Sequence, residues 1–498
     1  MSIQYDFIIA GSGPSGSALA AELSQSAQRP QVLLLEAGSR NDDPNLRIDG
    51  KRWMTFQQEQ RNWGYMTEPQ ENCIDRQIDY ARGRCLGGSS AINFVDNMHR
   101  RFKNLETFHN KCPQDVKYAR PVISNHGSHG PLHVGYALEW ERDLVPLLDV
   151  FEQAGFPSNP DHNPGDPLGI SIAISTAHRG LRSTAADLLT SAPDNLTIVL
   201  DAVVDRLLIE GTNVVGVEAS GTQYRATKEV ILAAGSLNTP HILKHSGIGT
   251  VEQLSKYGIP LLKVCPVGSN DRAVFYGSKE AMNLALDQWN INRTGNWSKF
   301  SCTLGIGFFK TERITGSAEF QALPLEIQQY FQEDATPHYE FIAHFPAHWS
   351  VPNFPDEHLC YAALNCFLLN GQNSGEVTLR SSDPQVPLRF NPRFLSHDFD
   401  RWVAIEELRD LRKVTKHPEF AKDTIGSTWH MTRTAKMGSH TDPDAVVDLD
   451  FRVISLNGLR IADMSVVPIL PNAHTQSVAY VTGMTCAEKT IKEYGLDQ

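Results

Sequence analysis

The first apolar stretch of the chain, Phe7-Ile8-Ile9-Ala10 after Tyr5-Asp6, shows no polar alternation. Such a run predicts a strand covered on both faces, as in a parallel sheet. Gly11-Ser12-Gly13-Pro14-Ser15-Gly16 follows, and then Ala18, Leu19, Ala20, Ala21 and Leu23 predict a helix of small residues. Gln31-Val32-Leu33-Leu34-Leu35-Glu36 is a second strand-like run, closed by Ala37-Gly38. Strand, glycine-rich turn, helix and strand form one βαβ unit.

Period-two patterning returns between 195 and 235, at Leu196–Leu200, Val214–Val217 and Val230–Gly235. Thr239-Pro240 predicts a helix starting there, with proline just inside its N-terminus, and ending before Gly247. Residues 40–125 read as irregular. Between 270 and 400 the chain is aromatic-rich, with strand-like runs at Tyr339–His344 and Tyr361–Leu369. These predict a second lobe on an antiparallel sheet. An amphipathic helix over 402–415, a strand at Gly458–Asp463 and a helix from Ser477 to about Glu493 complete the pattern. The expected class is α/β with an α+β second lobe. A Rossmann-like dinucleotide domain would be assembled from 1–125, 191–268 and 439–498, and the second domain from 126–190 and 269–438.

Composition narrows the function classes. The 498 residues are 41% hydrophobic, enough for real cores, so disorder is excluded as the main state. Lys and Arg number 45 against 57 Asp and Glu, a net charge of -12, which repels phosphate backbones and argues against nucleic-acid binding. None of the 8 cysteines forms a C-x-x-C pair or lies near histidine at zinc spacing, so no metal site is expected. Met1–Asp6 shows no basic and apolar leader pattern, and no apolar run is long enough for a membrane span. A cytoplasmic protein is expected.

The Gly-x-Gly-x-x-Gly motif sits where its chemistry needs it, between a strand and a helix. Gly11 permits the tight turn, Gly13 lets a pyrophosphate approach the backbone, and Gly16 lets helix and strand pack closely. The helix N-terminus offers N–H donors and partial positive charge to a diphosphate. Glu36, about twenty residues beyond the last glycine, is placed to accept hydrogen bonds from an adenosine ribose. The fingerprint alone leaves FAD and NAD both open.

Further blocks carry a more specific resemblance. They are Asn62–Gln70, Gly83–Asn93, Lys228–Pro240, His245–Gly249, Trp429-His430 through Met437-Gly438, and Gly458–Asp463. In these stretches, and in their order, the chain resembles the glucose–methanol–choline (GMC) family of FAD-dependent oxidoreductases. The resemblance implies a Rossmann-like FAD-binding domain beside an antiparallel-sheet substrate domain. It implies that Gly87, Gly88, Ser89, Ser90 and Asn93 wrap the FAD pyrophosphate and flavin edge. Ser15, Asp463, His474, Thr475 and, through its backbone, Val203 join the cofactor set. Some members attach FAD covalently through a histidine in this loop; Ile92 stands there, so noncovalent FAD is expected.

The same resemblance implies that His430 is the base and His474 its partner in oxidising a small-molecule alcohol to an aldehyde or ketone. The α-hydrogen leaves as hydride to flavin N5, while a neutral imidazole takes the hydroxyl proton and a second holds the oxygen. Electrons would pass to O2 or another acceptor. The alternative is a lyase of the same fold, like the hydroxynitrile lyases, doing non-redox acid/base work. A silent binding protein would not need both histidines. Aromatic residues Trp289, Trp297, Phe300, Phe308, Phe309, Phe341, Phe345 and Trp349 would suit an apolar or aromatic substrate, and core packing explains them equally well.

The chain departs from the family pattern at three places. Met431, Arg433 and Ala435 replace the usual Pro, Gly and Cys after His430. Arg433 would either meet a substrate carboxylate or point outward in a salt bridge, the second being the commoner case. The segments Phe94–Gly127 and Val267–Arg272 are shortened and altered.

Overall fold

A computed structural model describes residues 4–55, 60–73, 75–93, 103–141, 143–162, 166–246, 248, 279–293, 297, 305–346, 362–378, 380, 386–415, 432–442, 444–454, 456–468 and 475–497. Among these, the largest sheet has seven strands. They are β1 (Gln4–Ala10), β2 (Val32–Leu35), β3 (Leu196–Val199), β4 (Val204–Glu210), β5 (Asn213–Ala219), β6 (Thr222–Leu232) and, after three strands of a second sheet, β10 (Leu459–Ile461). The order is β3-β2-β1-β6-β5-β4, with β10 also pairing with β6.

β6 explains how one sheet holds both pairing modes. Its first residues, Thr222–Arg225, pair antiparallel with β5, while Val230–Leu232 pair parallel with β10 on the same edge. Its other edge runs parallel to β1, with Ile8 beside Val230 and Ile9 beside Ile231. The run Phe7–Ile9 is fully buried, as expected of a strand covered on both faces. Helix α1 (Pro14–Gln25) leaves β1 with proline in its first turn, where a missing N–H costs nothing. The last helix, α6 (Thr475–Tyr494), packs on α1 so closely that a Cβ at Gly483 would lie 2.1 Å from the Ser15 carbonyl oxygen.

Three distant segments are tied by one buried arginine. Arg460 of β10 donates through Nε to Glu229 of β6 at 2.6 Å and through Nη2 to Glu493 of α6. Burying a guanidinium is tolerable because it is paired on both sides.

The second sheet is antiparallel, β7 (Gly305–Phe309), β8 (Tyr339–Pro346) and β9 (Ala362–Leu368) in that order. Its core joins Phe309, Phe341 and Tyr339 to Phe151 of α2 (Leu144–Gln153) and to Phe399 and Val403 of α5 (Asp398–Thr415). Phe156 meets Phe309 edge-on at 4.8 Å and Phe341 at 5.5 Å. Trp289, on α4 (Lys279–Asn292), and Trp297 lie in a separate buried cluster with Leu46 and Ile48. The rings of Trp289, Trp297, Phe308, Phe309 and Phe341 are therefore buried in packing; Phe300, Trp349 and the side chain of Phe345 lie outside what the structure describes.

The helix expected to start at Thr239-Pro240 begins earlier, and this corrects the sequence reading. α3 spans Gly235–His245 with Pro240 inside it. Its start is capped from far away: Asp463 Oδ2 accepts from the Gly235 N–H at 2.9 Å and from Thr239 Oγ1 at 2.5 Å. A carboxylate at a helix N-terminus is favoured by both the orphan donors and the dipole. Likewise α5 starts at Asp398, four residues before the apolar periodicity becomes legible, with Asp398 and Asp400 in its first turn.

Candidate cofactor and active site

The three glycines of the first turn differ in what a side chain would meet. Gly11 has φ +102°, and a Cβ there would lie 2.5 Å from the Ala233 oxygen. At Gly16 a Cβ would lie 1.9 Å from the Gly11 oxygen. At Gly13 it would meet nothing within 4 Å. Two glycines thus serve the close approach of α1 to the sheet, and the middle one faces open space at the helix N-terminus.

The second glycine-rich stretch folds against the first. The Gly87 N–H donates to the Ser12 carbonyl at 3.1 Å and to Ser12 Oγ at 3.3 Å. Gly87 and Gly88 both have positive φ, and a Cβ on Gly88 would lie 2.7 Å from the Gly13 Cα. Ser90 Oγ donates to the Gly87 carbonyl at 2.6 Å and accepts from the Ala185 N–H at 2.8 Å. Ser89 Oγ accepts from the Gly83 N–H at 3.1 Å.

Glu36 stands at the end of β2 with its carboxylate buried. Oε2 accepts from the Ser12 N–H at 3.1 Å and from Ser12 Oγ at 2.5 Å, and Oε1 accepts from the Gly38 N–H at 2.9 Å. Burial pushes this carboxyl above its ordinary range, and the Ser12 and Gly38 donors oppose that shift. A carboxylate has about four acceptor positions, so these three donors leave room for a ribose hydroxyl. A helix N-terminus open at Gly13, a second glycine-rich strip over it and a buried acid at the next strand end together fit a dinucleotide such as FAD.

Other expected cofactor residues are placed with less freedom. Ser15 is buried and its hydroxyl donates to the Ala462 carbonyl. Asp463 is buried; besides capping α3 it accepts from the Ser465 N–H at 2.8 Å through Oδ1, and its carbonyl accepts from the Val466 N–H at 3.2 Å. The Val203 N–H donates to Ser220 Oγ at 3.1 Å and its carbonyl accepts from the Ser220 N–H at 2.9 Å. An adenine contact at Val203 would therefore use the second lone pair of that carbonyl. Asn93 ends the second strip and donates through Nδ2 to Gln476 Oε1 at 2.5 Å, in the first turn of α6 that Thr475 opens. His430 and His474 lie outside the described residues.

Arg433 is exposed and has φ +67°, the left-handed conformation that suits the glycine of the family pattern. His126, unremarkable in the sequence, is buried between two acids, with Nδ1 3.3 Å from Glu106 Oε1 and Nε2 3.9 Å from Asp161 Oδ2. Among the described residues no group of histidine, cysteine and acidic side chains is arranged to hold a metal ion, and no helix is long and apolar enough to cross a membrane.

Comparison with known proteins agrees with this arrangement along the chain. A family model described as GMC oxidoreductase matches residues 5–272, and a second of the same description matches residues 371–483. An oxygen-dependent choline dehydrogenase of Sinorhizobium medicae is 30% identical, covering 98% of this chain and 96% of that protein. One from Rhizobium rhizogenes is 28% identical with the same coverage. Among solved structures, an Aspergillus oryzae formate oxidase superimposes with TM-score 0.80 at 23% identity over 99% of both chains. An FAD-dependent oxidoreductase from Chaetomium thermophilum gives 0.81 at 22% identity over 99% of this chain and 100% of that one. The chain belongs to the GMC oxidoreductase family and is an FAD-dependent enzyme.

Proposed function

We propose that this enzyme oxidises an alcohol carbon to an aldehyde or ketone, with His430 taking the hydroxyl proton and His474 holding the oxygen. The observation that carries the cofactor half is the open space that a Cβ on Gly13 would enter, in a turn against which Gly88 packs and whose Ser12 is bonded to the buried Glu36. An alcohol as donor is supported by the full-length relatives named choline dehydrogenase and by a fungal aryl-alcohol oxidase among the structural neighbours, at TM-score 0.78 and 21% identity. Gly11, Gly13, Ser15, Gly16 and Glu36 would hold the adenosine and pyrophosphate, and Gly87–Asn93 with Asp463 and Thr475 the remainder. Bound FAD supplies the hydride-accepting ring. Ile92 is apolar and buried, with no nucleophile to form a flavin bond, so the cofactor is held without a covalent link.

An imidazole with an ordinary pKa near 6.5 is neutral at working pH, and so is able to accept a hydroxyl proton. A second imidazole stabilises the alkoxide-like charge as it develops. The test is a visible spectrum of the purified protein and its response to a panel of alcohols without oxygen. Flavin absorbance should be present and should bleach. His430→Ala should retain FAD while reduction slows by roughly 10²–10⁴-fold. A colourless protein, turnover with the flavin unchanged, or wild-type reduction in His430→Ala would overturn the proposal.

A further inference from the structure

Two buried arginines converge on Asn93. Arg182, 1% exposed, lies on a short hairpin, Ala177-His178 paired with Leu181-Arg182. Its Nη2 donates to the Asn93 carbonyl at 2.6 Å, to Asn93 Oδ1 at 2.8 Å and to the Ser90 carbonyl at 3.1 Å. Arg52, fully buried and paired through Nε with Asp49 at 2.5 Å, brings Nη1 to 3.5 Å from the same Asn93 carbonyl. On the far side, Asn93 Nδ2 donates to Gln476 Oε1 at 2.5 Å.

The direction of this chain follows from the donor inventory. A guanidinium has no acceptor, so the Asn93 atom facing Arg182 must be the oxygen. The Asn93 nitrogen then faces α6, and the Gln476 atom that meets it must be its own oxygen. One cation thus sets the orientation of two successive carboxamides. A guanidinium is costly to bury, and a well-packed apolar side chain would often serve stability better. What the arginine adds is a three-way grip on the end of the Gly87–Asn93 strip, through the Ser90 carbonyl and both oxygens of Asn93.

We propose that Arg182 is a positioning residue for FAD. It fixes the end of the Ser90–Asn93 strip and, through Asn93 and Gln476, registers that strip against the start of α6. The proposal rests on the reading of Gly87–Asn93 as the loop that wraps the cofactor. It predicts that Arg182 and Gln476 act through one shared residue, so that their effects do not add.

The holoenzymes of Arg182→Met, Arg182→Lys, Gln476→Leu, Asn93→Ala and the Arg182→Met/Gln476→Leu pair test this. The readouts are the rate of FAD release on dilution, followed by flavin fluorescence, and the visible circular dichroism of the bound flavin. Losing a charge-assisted hydrogen bond should speed release by roughly ten- to a hundred-fold in Arg182→Met. Lysine, which retains the charge but not the fork, should restore part of the loss. The double variant should release FAD no faster than Arg182→Met alone. If Arg182→Met fails to fold, Arg182→Lys and Gln476→Leu carry the comparison. Wild-type release and dichroism in Arg182→Lys and Gln476→Leu would overturn the inference, as would strictly additive effects. If Asn93→Ala alone speeds release, the relay fails and the cofactor loop stands; if Asn93→Ala is also silent, both fail.

Discussion

Thr434 Oγ1 donates to the Ser236 carbonyl at 2.7 Å, and that is the carbonyl which Pro240, four residues on, has no N–H to reach. A proline inside a helix breaks one rung, and here a hydroxyl from another part of the chain takes the acceptor. Thr434→Val should cost about 1–2 kcal/mol in chemical unfolding, and Thr434→Ser should cost much less. In a Pro240→Ala background, which restores the helical N–H, the cost of Thr434→Val should shrink. An equal cost in both backgrounds would show that the hydroxyl does not compensate for the proline.

Gly13 and Gly16 should fail in different ways. A methyl group at position 13 enters open space, so Gly13→Ala should leave unfolding of the FAD-free protein nearly unchanged while weakening FAD binding roughly ten-fold or more. A methyl group at position 16 would lie 1.9 Å from a backbone oxygen, so Gly16→Ala should itself destabilise the fold by about 1–3 kcal/mol. Paired measurements of thermal unfolding and FAD titration separate the two.

Arg433 holds a left-handed backbone on an exposed position. For a residue with a Cβ this conformation costs about 1 kcal/mol. Arg433→Gly should therefore raise stability by roughly 0.5–1 kcal/mol, while Arg433→Ala, which retains the Cβ, should not. Thermal melts of the two variants at the same pH decide it.

Glu407, on α5, is buried, and burial pushes its carboxyl up to about 8 from an ordinary value of 4.5. The folded protein thus binds this proton more tightly than the unfolded chain does. The resulting stabilisation is full below about pH 4.5 and is lost as pH rises through about 8. Glu407→Gln has nothing to ionise, so its stability relative to the parent should climb between pH 5 and pH 9 by on the order of 3 kcal/mol. A difference that stays flat across that range would mean Glu407 is already ionised in the native protein.

The local patterns read true where a structure is made by neighbours in the chain. β1, the α1 turn and β2 follow from an unbroken apolar run, three glycines and a second run, because burial on both faces and a tight turn are short-range demands. The family resemblance likewise rested on contiguous blocks, and the chain's membership bears it out. Pattern reading misplaced the start of α3, because its cap comes from Asp463 and its proline is answered by Thr434, both about two hundred residues away. It also passed over Arg182 and Arg52, since nothing in Leu181-Arg182 or Arg52-Trp53 distinguishes a buried guanidinium from an exposed one.

The amino-acid order by itself determined the βαβ start, the glycine fingerprint, the acid at position 36 and the kinship that names the cofactor. Only the tertiary structure decided which glycine faces open space, how β6 serves two pairing modes, and which arginine grips Asn93. The physical reason is one of range: periodicity and turn chemistry act over a few residues, whereas caps, buried charges and close backbone contacts need partners that only folding brings together.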